Sequence, residues 1–213
     1  LRLMYHRTVL PAAAGEEVFV CGITELEKLE EVVDGVDAIV HMAGDPRVGA
    51  PWDSVLEANI KGIYCLYEAA RRRGVKRIIF ASTNHVTGFY EQEGIYTTPD
   101  MMERPDSYYG ASKAFGEDLG RYYVDAFELE VICLRIGSFQ PEEAVRERGS
   151  DRILSTWLSH RDCVQLVWRG IEASKVKFGI FYGISGNKRA YWDIQNARDL
   201  LGYEPEDDAE RFA

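Results

Sequence analysis

Two nearly uninterrupted apolar runs, Ala38-Ile39-Val40-His41-Met42-Ala43 and Ile78-Ile79-Phe80-Ala81, are separated by one long stretch of helical periodicity. A strand that is apolar on both faces must be covered on both faces, and two such strands joined by a helix make a parallel crossover. This pattern excludes a helical bundle and an antiparallel sheet with one wet face. It predicts an α/β fold, a doubly wound parallel sheet with helices on both sides. The strands expected from β-branched runs are Leu1–Tyr5, Glu17–Ile23, Ala38–Ala43, Arg77–Ser82, Val131–Ile136 and Gly179–Gly183.

Helices fill the gaps. Thr24 followed by Glu27 reads as a capping box opening a helix that Gly35 stops. A longer helix is expected from Trp52 to Arg73, where Arg71-Arg72-Arg73 and Gly74 complement and cap a C-terminus. Pro105 is a favoured first-turn residue for another helix reaching Phe127. The charged, aperiodic segment Phe139–Asp151 reads as a long loop, and the acidic run Glu204–Glu210 as a solvated end.

Composition narrows the function classes. With 25 Lys+Arg against 35 Asp+Glu the formal charge is −10, which argues against nucleic-acid and anionic-membrane partners. No run of about 18 apolar residues is present, so a transmembrane helix is not expected. At 46% hydrophobic residues, 213 residues suffice for one folded domain with a sizeable core. Cys21, Cys65, Cys133 and Cys163 are scattered without a CxxC pair or a nearby His, which suits buried thiols in a reducing compartment, with no zinc and no disulfide framework. A soluble, cytoplasmic protein is the expectation. The chain opens at Leu1 inside an apolar run, so an upstream segment is expected too.

The chemistry concentrates in Asp106-Ser107-Tyr108-Tyr109-Gly110-Ala111-Ser112-Lys113. On a helix Tyr109 and Lys113 lie one above the other. A free phenol titrates near ~10, and about 4 kcal/mol of preferential phenolate stabilisation, which a nearby ammonium can supply, would bring it to about 7 for service as a general base. Read alone, YxxxK describes a core tyrosine and a solvated lysine equally well. Three strand ends add weight: Thr83-Asn84-His85, Ile136-Gly137-Ser138 and Ala43-Gly44-Asp45 place small and polar groups at the carboxyl edge of the sheet, where ligands of open parallel sheets bind.

Together these segments resemble the extended short-chain dehydrogenase/reductases, the NAD-dependent epimerase/dehydratases. Asn84-His85 and Thr156-Trp157-Leu158 are most similar to the uronate dehydrogenase group. The resemblance implies a Rossmann-like fold with a partial dinucleotide-binding domain over residues 1–138 and a small substrate-binding region, with a C-terminal strand and helix, over 139–213. It implies Tyr109 as general base, Lys113 lowering its pKa and holding the nicotinamide ribose, and Thr83 orienting the reacting C–OH. Asn84, His85 and Ser138 would contact the sugar, Arg152 would clamp a carboxylate, and Ala43, Gly44 and Ile136 would line the cofactor. Asn59 falls where the superfamily often has an Asn, although capping or packing explains it as well. The implied reaction is hydride transfer from a sugar or uronic acid to NAD. The alternatives are a nucleotide-sugar 4-epimerase or dehydratase, and a non-catalytic remnant that only binds or dimerises. A homodimer is expected through the helices Trp52–Arg73 and Pro105–Phe127, with Gly110, Ala114 and Gly116 permitting close approach.

Three departures accompany the resemblance. No GxxGxxG turn is present, and Leu1-Arg2-Leu3 corresponds to the family's second strand, so the sheet is expected to lack its first βα unit and to leave backbone groups unpaired there. Tyr5 and Gly22 stand where the family has adenine-side acids, and Arg7 follows, which keeps NADP open beside NAD. Asp45-Pro46-Arg47 replaces a serine-containing turn that would touch a sugar hydroxyl.

Overall fold

The computed structural model describes all of residues 1–213. Its strands are β1 (Arg2–Tyr5), β2 (Glu17–Val20), β3 (Ala38–His41), β4 (Arg77–Thr83), β5 (Glu130–Ile136), β6 (Ser138–Phe139), β7 (Trp157–Leu158) and β8 (Phe178–Gly183). The main sheet has the order β3-β4-β5-β8 and every pairing in it is parallel. β1 and β2 pair separately, also in parallel, and β6 with β7 forms a third small ladder. β1 pairs only with β2 and β3 only with β4, so the facing edges of the two sheets carry no ladder between them. The unpaired backbone expected at this place is there, and Val40 and Met42 beside it are exposed. What ties β1 and β2 to the rest is helix packing: Met4 and Phe19 pack against a core of Leu29, Ile63, Leu66, Ile78 and Phe80.

α1 (Leu26–Val33) lies against α3 (Gly62–Arg73), and the long helix expected before Gly74 is continuous but not uniform. α2 (Trp52–Val55) passes into a π-helical stretch, Leu56–Lys61, before α3 begins. Gly74, at φ 70°, caps α3 as predicted, and Arg71 and Arg72 pair with Glu68 of their own helix. Two helix starts differ from expectation. α1 begins at Leu26 without a threonine cap, because Glu25 turns back to accept from the Gly22 N–H at 2.7 Å. α5 (Tyr108–Phe127), which follows the short α4 (Gly88–Gln92), begins after Ser107 and not at Pro105, since the Ser107 hydroxyl accepts from the Gly110 N–H and supplies the better cap.

Two regions read as irregular are ordered. Phe139–Asp151 ends β6, carries α6 (Glu142–Arg148) and opens α7 (Asp151–Thr156). One buried apolar residue, Val145, is too little to give α6 a periodicity, but Glu142 and Glu143 sit in the first turn and Arg146 and Arg148 in the last, as the helix dipole favours. The acidic run is no solvated end. Asp207 is buried and accepts from Ser159 and Arg161, while Asp162 accepts from the backbone N–H groups of Glu206 and Asp207. Asp162 lies on α8 (His160–Glu172); α8 packs against β4 and against α9 (Gln195–Leu201). The glycines assigned to a helix–helix contact also point elsewhere: a Cβ at Gly116 would lie 2.5 Å from the Phe80 ring and one at Gly110 2.3 Å from the His85 carbonyl. Both serve packing inside the chain. All four cysteines are buried and free, and no helix is long and apolar enough to cross a membrane.

Candidate active site at the carboxyl edge of the sheet

β4 delivers Thr83 to the carboxyl edge of the sheet, and a single 3₁₀ turn, Asn84–Thr87, follows at once. The Thr83 hydroxyl caps that turn by accepting from the His85 N–H at 3.3 Å. α5 lies directly on the turn, an approach that requires glycine at position 110. The result brings Tyr109 beside His85, with ring centroids 6.0 Å apart. Asp106 fixes the imidazole by accepting from Nδ1, 2.8 Å away, and so leaves Nε2 as the ring nitrogen without a partner in the chain.

A cavity of about 230 Å³ gathers most of the expected residues on one wall set: Gly44, Thr83, Asn84, His85, Tyr109, Lys113 and Ile136. Ala43 does not line it. Ser138 and Arg152 line an adjoining cavity of about 480 Å³, and Pro46 and Gly137 belong to both. The two cavities adjoin at these shared residues. Asp45 and Pro46 line the first cavity within a closed turn: the Asp45 carboxylate accepts from the Arg47 guanidinium, from Ser54 and from the Arg47 N–H, which holds it well below the usual carboxylate range. Arg7 is exposed just beyond β1.

The electrostatics depart from the expectation for Tyr109. Burial pushes its phenol above the ordinary value, the Thr83 hydroxyl works the other way, and the Asp45 charge adds to the rise. Lys113 does not offset this, because its ammonium is spent elsewhere. It donates to the Ala81 carbonyl at 2.7 Å and lies over the Phe80 ring at 4.9 Å, with the Tyr109 ring 5.9 Å away. Burial lowers Lys113 to about 8, and the Glu117 carboxylate one turn further along α5 opposes that drop. Lys113 is thus the group poised near neutrality. His41, stacked on Phe80, is driven down to about 3 by burial and then by the Lys113 charge, and is neutral.

Several residues that position the site carry no role in the sequence reading. Asn59, weighed there only as a superfamily position or a packing residue, sits in the π-helical stretch, where insertions of this kind often mark functional positions. Its Oδ1 accepts from the Asp45 N–H at 2.7 Å and its Nδ2 donates to Ser112 at 3.0 Å, linking the end of β3 to α5. Gly44, at φ 144°, lies against it, where a Cβ would come within 2.8 Å of that oxygen. Beneath the site Arg135 is wholly buried and forks onto Glu117, which also accepts from Ser82. At the rim Arg152 forks onto Glu91 through Nε at 2.6 Å and Nη2 at 3.3 Å. Asp106 and Ser112 lie inside the segment whose motif stands out in the sequence, whereas no motif marks Glu91.

With this geometry in place, comparison with known proteins identifies the scaffold. The model of the NAD dependent epimerase/dehydratase family matches residues 3–175. The uronate dehydrogenase of Pseudomonas syringae pv. tomato is 43% identical over 213 residues, covering all of this chain and 74% of that protein. The NAD-dependent glucose-6-phosphate dehydrogenase of Haloferax volcanii is 42% identical over 209 residues, covering 92% of this chain and 78% of its own. Among solved structures, a mutant uronate dehydrogenase from Agrobacterium tumefaciens complexed with NAD superposes with a TM-score of 0.89 at 38% identity, over 99% of this chain and 77% of that one. By its sheet, its Thr83–Tyr109–Lys113 cleft and these matches, the chain belongs to the NAD dependent epimerase/dehydratase family.

Proposed function

We propose that the chain is an NAD-dependent sugar oxidoreductase that acts on the C1 hydroxyl of a hexuronic acid. One observation carries the reading: the cavity lined by Thr83, Tyr109 and Lys113 adjoins the one lined by Ser138 and Arg152, with Pro46 and Gly137 belonging to both, so a small acid sugar lying across them would meet a proton-abstracting end and a carboxylate-binding end. The residues present suit the nicotinamide end. Gly44 and Ala81 keep two strand ends bare beside the Lys113 ammonium, and Ile136 adds an apolar wall. The dinucleotide supplies the hydride acceptor. The rest is done by the chain. The Thr83 hydroxyl orients the reacting C–OH, and Tyr109 takes its proton as a phenolate formed with sugar in place. Lys113, lowered to about 8 by burial, holds the ribose and, as the neutral amine, takes the phenol proton released when the Tyr109 phenolate forms. Asn84 and His85 Nε2 meet sugar hydroxyls, and Arg152 with Ser138 meets the C6 carboxylate.

The related proteins support this assignment: one is a uronate dehydrogenase that matches the whole chain, and one is a dehydrogenase of a sugar phosphate. The second favours a distinct reading, because Arg148 lines the same cavity as Arg152 and two arginines suit a dianion. Residues 1–138 are assigned to the cofactor and 139–213 to the substrate. A second copy is assigned to α2, α3 and α5, where Trp52, Tyr64, Tyr108, Phe115 and Tyr122 are exposed. Four buried free thiols suit the cytoplasm.

The test is formation of reduced nicotinamide with glucuronate, galacturonate, glucose and glucose 6-phosphate in parallel. Uronate turnover with little glucose turnover supports the reading, glucose 6-phosphate turnover alone moves it to the second, and no signal with any of the four rejects it. Tyr109→Phe lowers kcat by on the order of 100-fold or more while leaving the thermal midpoint in place; retained turnover removes Tyr109 from its role.

A further inference from the structure

Arg152 is held on three sides. Glu91 takes its Nε–H and one Nη2–H, Ser138 Oγ accepts from Nη1 at 3.2 Å, and Ser138 is itself bonded to Thr156, whose hydroxyl returns to the Arg152 carbonyl at 2.8 Å. Glu91 is also the meeting point of three chain segments. Asn84 donates to it at 3.4 Å from the 3₁₀ turn, Tyr191 donates at 3.0 Å from the stretch before α9, and Arg152 reaches it from α7. An exposed surface pair would gain little from such a set, since two long side chains held in water contribute about 0–1 kcal/mol. Here the carboxylate is four-fifths covered and the guanidinium half exposed, so Glu91 is the fixed member and Arg152 the one it aims.

We infer that Glu91 is a positioning residue that sets Arg152 for the anionic group of the substrate and selects a monoanion over a dianion. The inference rests on the proposed role of Arg152. A guanidinium has five N–H groups. Glu91 and Ser138 consume three, and one is left on each terminal nitrogen, so a sugar carboxylate is offered the Nη1–Nη2 end and not the side-on fork. This gives the acid group one direction of approach. Glu91 also cancels the charge of Arg152 in a protein of net charge −10. A phosphate dianion therefore meets an ion pair of no net charge whose Glu91 carboxylate repels it more than it repels a monoanion, against the attraction of Arg148 on the same cavity wall. Tyr191 belongs to the same device: burial and the Glu91 charge keep its phenol protonated, so it stays a donor to Glu91.

Glu91→Ala and Glu91→Gln test this in two readouts. In proteins labelled with ¹⁵N-arginine, with the Arg152 Nε–H signal identified by its loss in Arg152→Met, the signal is protected from solvent exchange in the parent, unprotected in Glu91→Ala and partly protected in Glu91→Gln. Unchanged protection in Glu91→Ala overturns the inference whatever the enzyme's substrate. In kinetics, KM for glucuronate rises about tenfold in Glu91→Ala while KM for NAD holds and kcat changes less than about threefold. The ratio of glucose 6-phosphate to glucuronate kcat/KM rises in Glu91→Gln, where the repelling charge is gone and the shape is kept. A parallel rise in KM for NAD and for the sugar shows a merely structural role and also overturns it. If the parent enzyme turns over none of these sugars while Arg152 is protected as described, the substrate reading fails and the positioning role stands.

Discussion

Two arginine–glutamate forks of nearly the same bonding serve opposite ends in this molecule. Arg135 and Glu117 are 0% and 1% exposed, and Arg152 and Glu91 are 46% and 18% exposed. In the deep fork the Arg135 side chain has no solvent: burial disfavours its charge, Glu117 offsets that, and Ser82 takes up one of the remaining carboxylate positions. At the rim the same fork leaves two N–H groups facing a cavity. The bond geometry does not distinguish a structural pair from a binding pair. Water does, because only a half-exposed guanidinium can exchange its solvent for a ligand, whereas a buried one has nothing left to exchange.

The largest effect separating the two follows from uncoupling the deep fork. Arg135→Met leaves Glu117 buried without its charge partner and destabilises the fold by about 3–5 kcal/mol, read from denaturant midpoints. Adding Glu117→Leu recovers most of that loss, because a packed apolar pair costs no desolvation. A double variant as unstable as the single one would mean that the fork stabilises the fold on its own account. At the rim the order reverses. Arg152→Met shifts stability by less than about 1 kcal/mol but raises KM for glucuronate by on the order of 100-fold, the loss of a charge-assisted pair. A comparable loss of stability in both variants would erase the distinction.

The smallest effect concerns pH. His41, close enough to Lys113 to feel its charge, has its folded value lowered from 6.5 to about 3. The unfolded chain therefore binds the extra proton first, and stability is lost as pH falls below about 6.5. At pH ~5 the loss is about 2 kcal/mol, and His41→Leu removes it, flattening the profile between pH ~6.5 and ~5 in urea titrations. Arg152→Met leaves that profile in place, since it does not touch His41. An unchanged profile in His41→Leu would assign the acid sensitivity elsewhere.

The parts of the site that were legible in advance are those written over short distances. Tyr109 and Lys113 are four apart on one helix, Thr83-Asn84-His85 directly ends an apolar strand, and Gly44 ends another; periodicity and strand ends place all of them on one edge of the sheet. The segments misread are the ones where charge conceals structure. Phe139–Asp151 looked like a loop because a helix of seven residues with one buried position has no stripe, and Glu204–Glu210 looked solvated because its partners Ser159, Asp162 and Arg161 lie some forty residues upstream. The proton-transfer assignment was legible in its residues but not in its energetics. That Lys113 would spend its ammonium on the Ala81 carbonyl depends on how α5 sits over β4.

The sequence alone sets the parallel sheet, its covered strands and the face of α5 that meets its carboxyl edge. These follow from local patterns, since strand and helix periods and caps act over a few residues. Local pattern does not separate a buried arginine from an offered one, and Arg152 stands out only through the family resemblance. Leu134-Arg135-Ile136 and Asp151-Arg152-Ile153 each set an arginine before an isoleucine, and nothing nearby separates a core pair from a ligand clamp. Burial is a sum over neighbours brought from distant parts of the chain. Glu91, sixty-one residues from Arg152, becomes its partner only when α4 and α7 meet across the cleft.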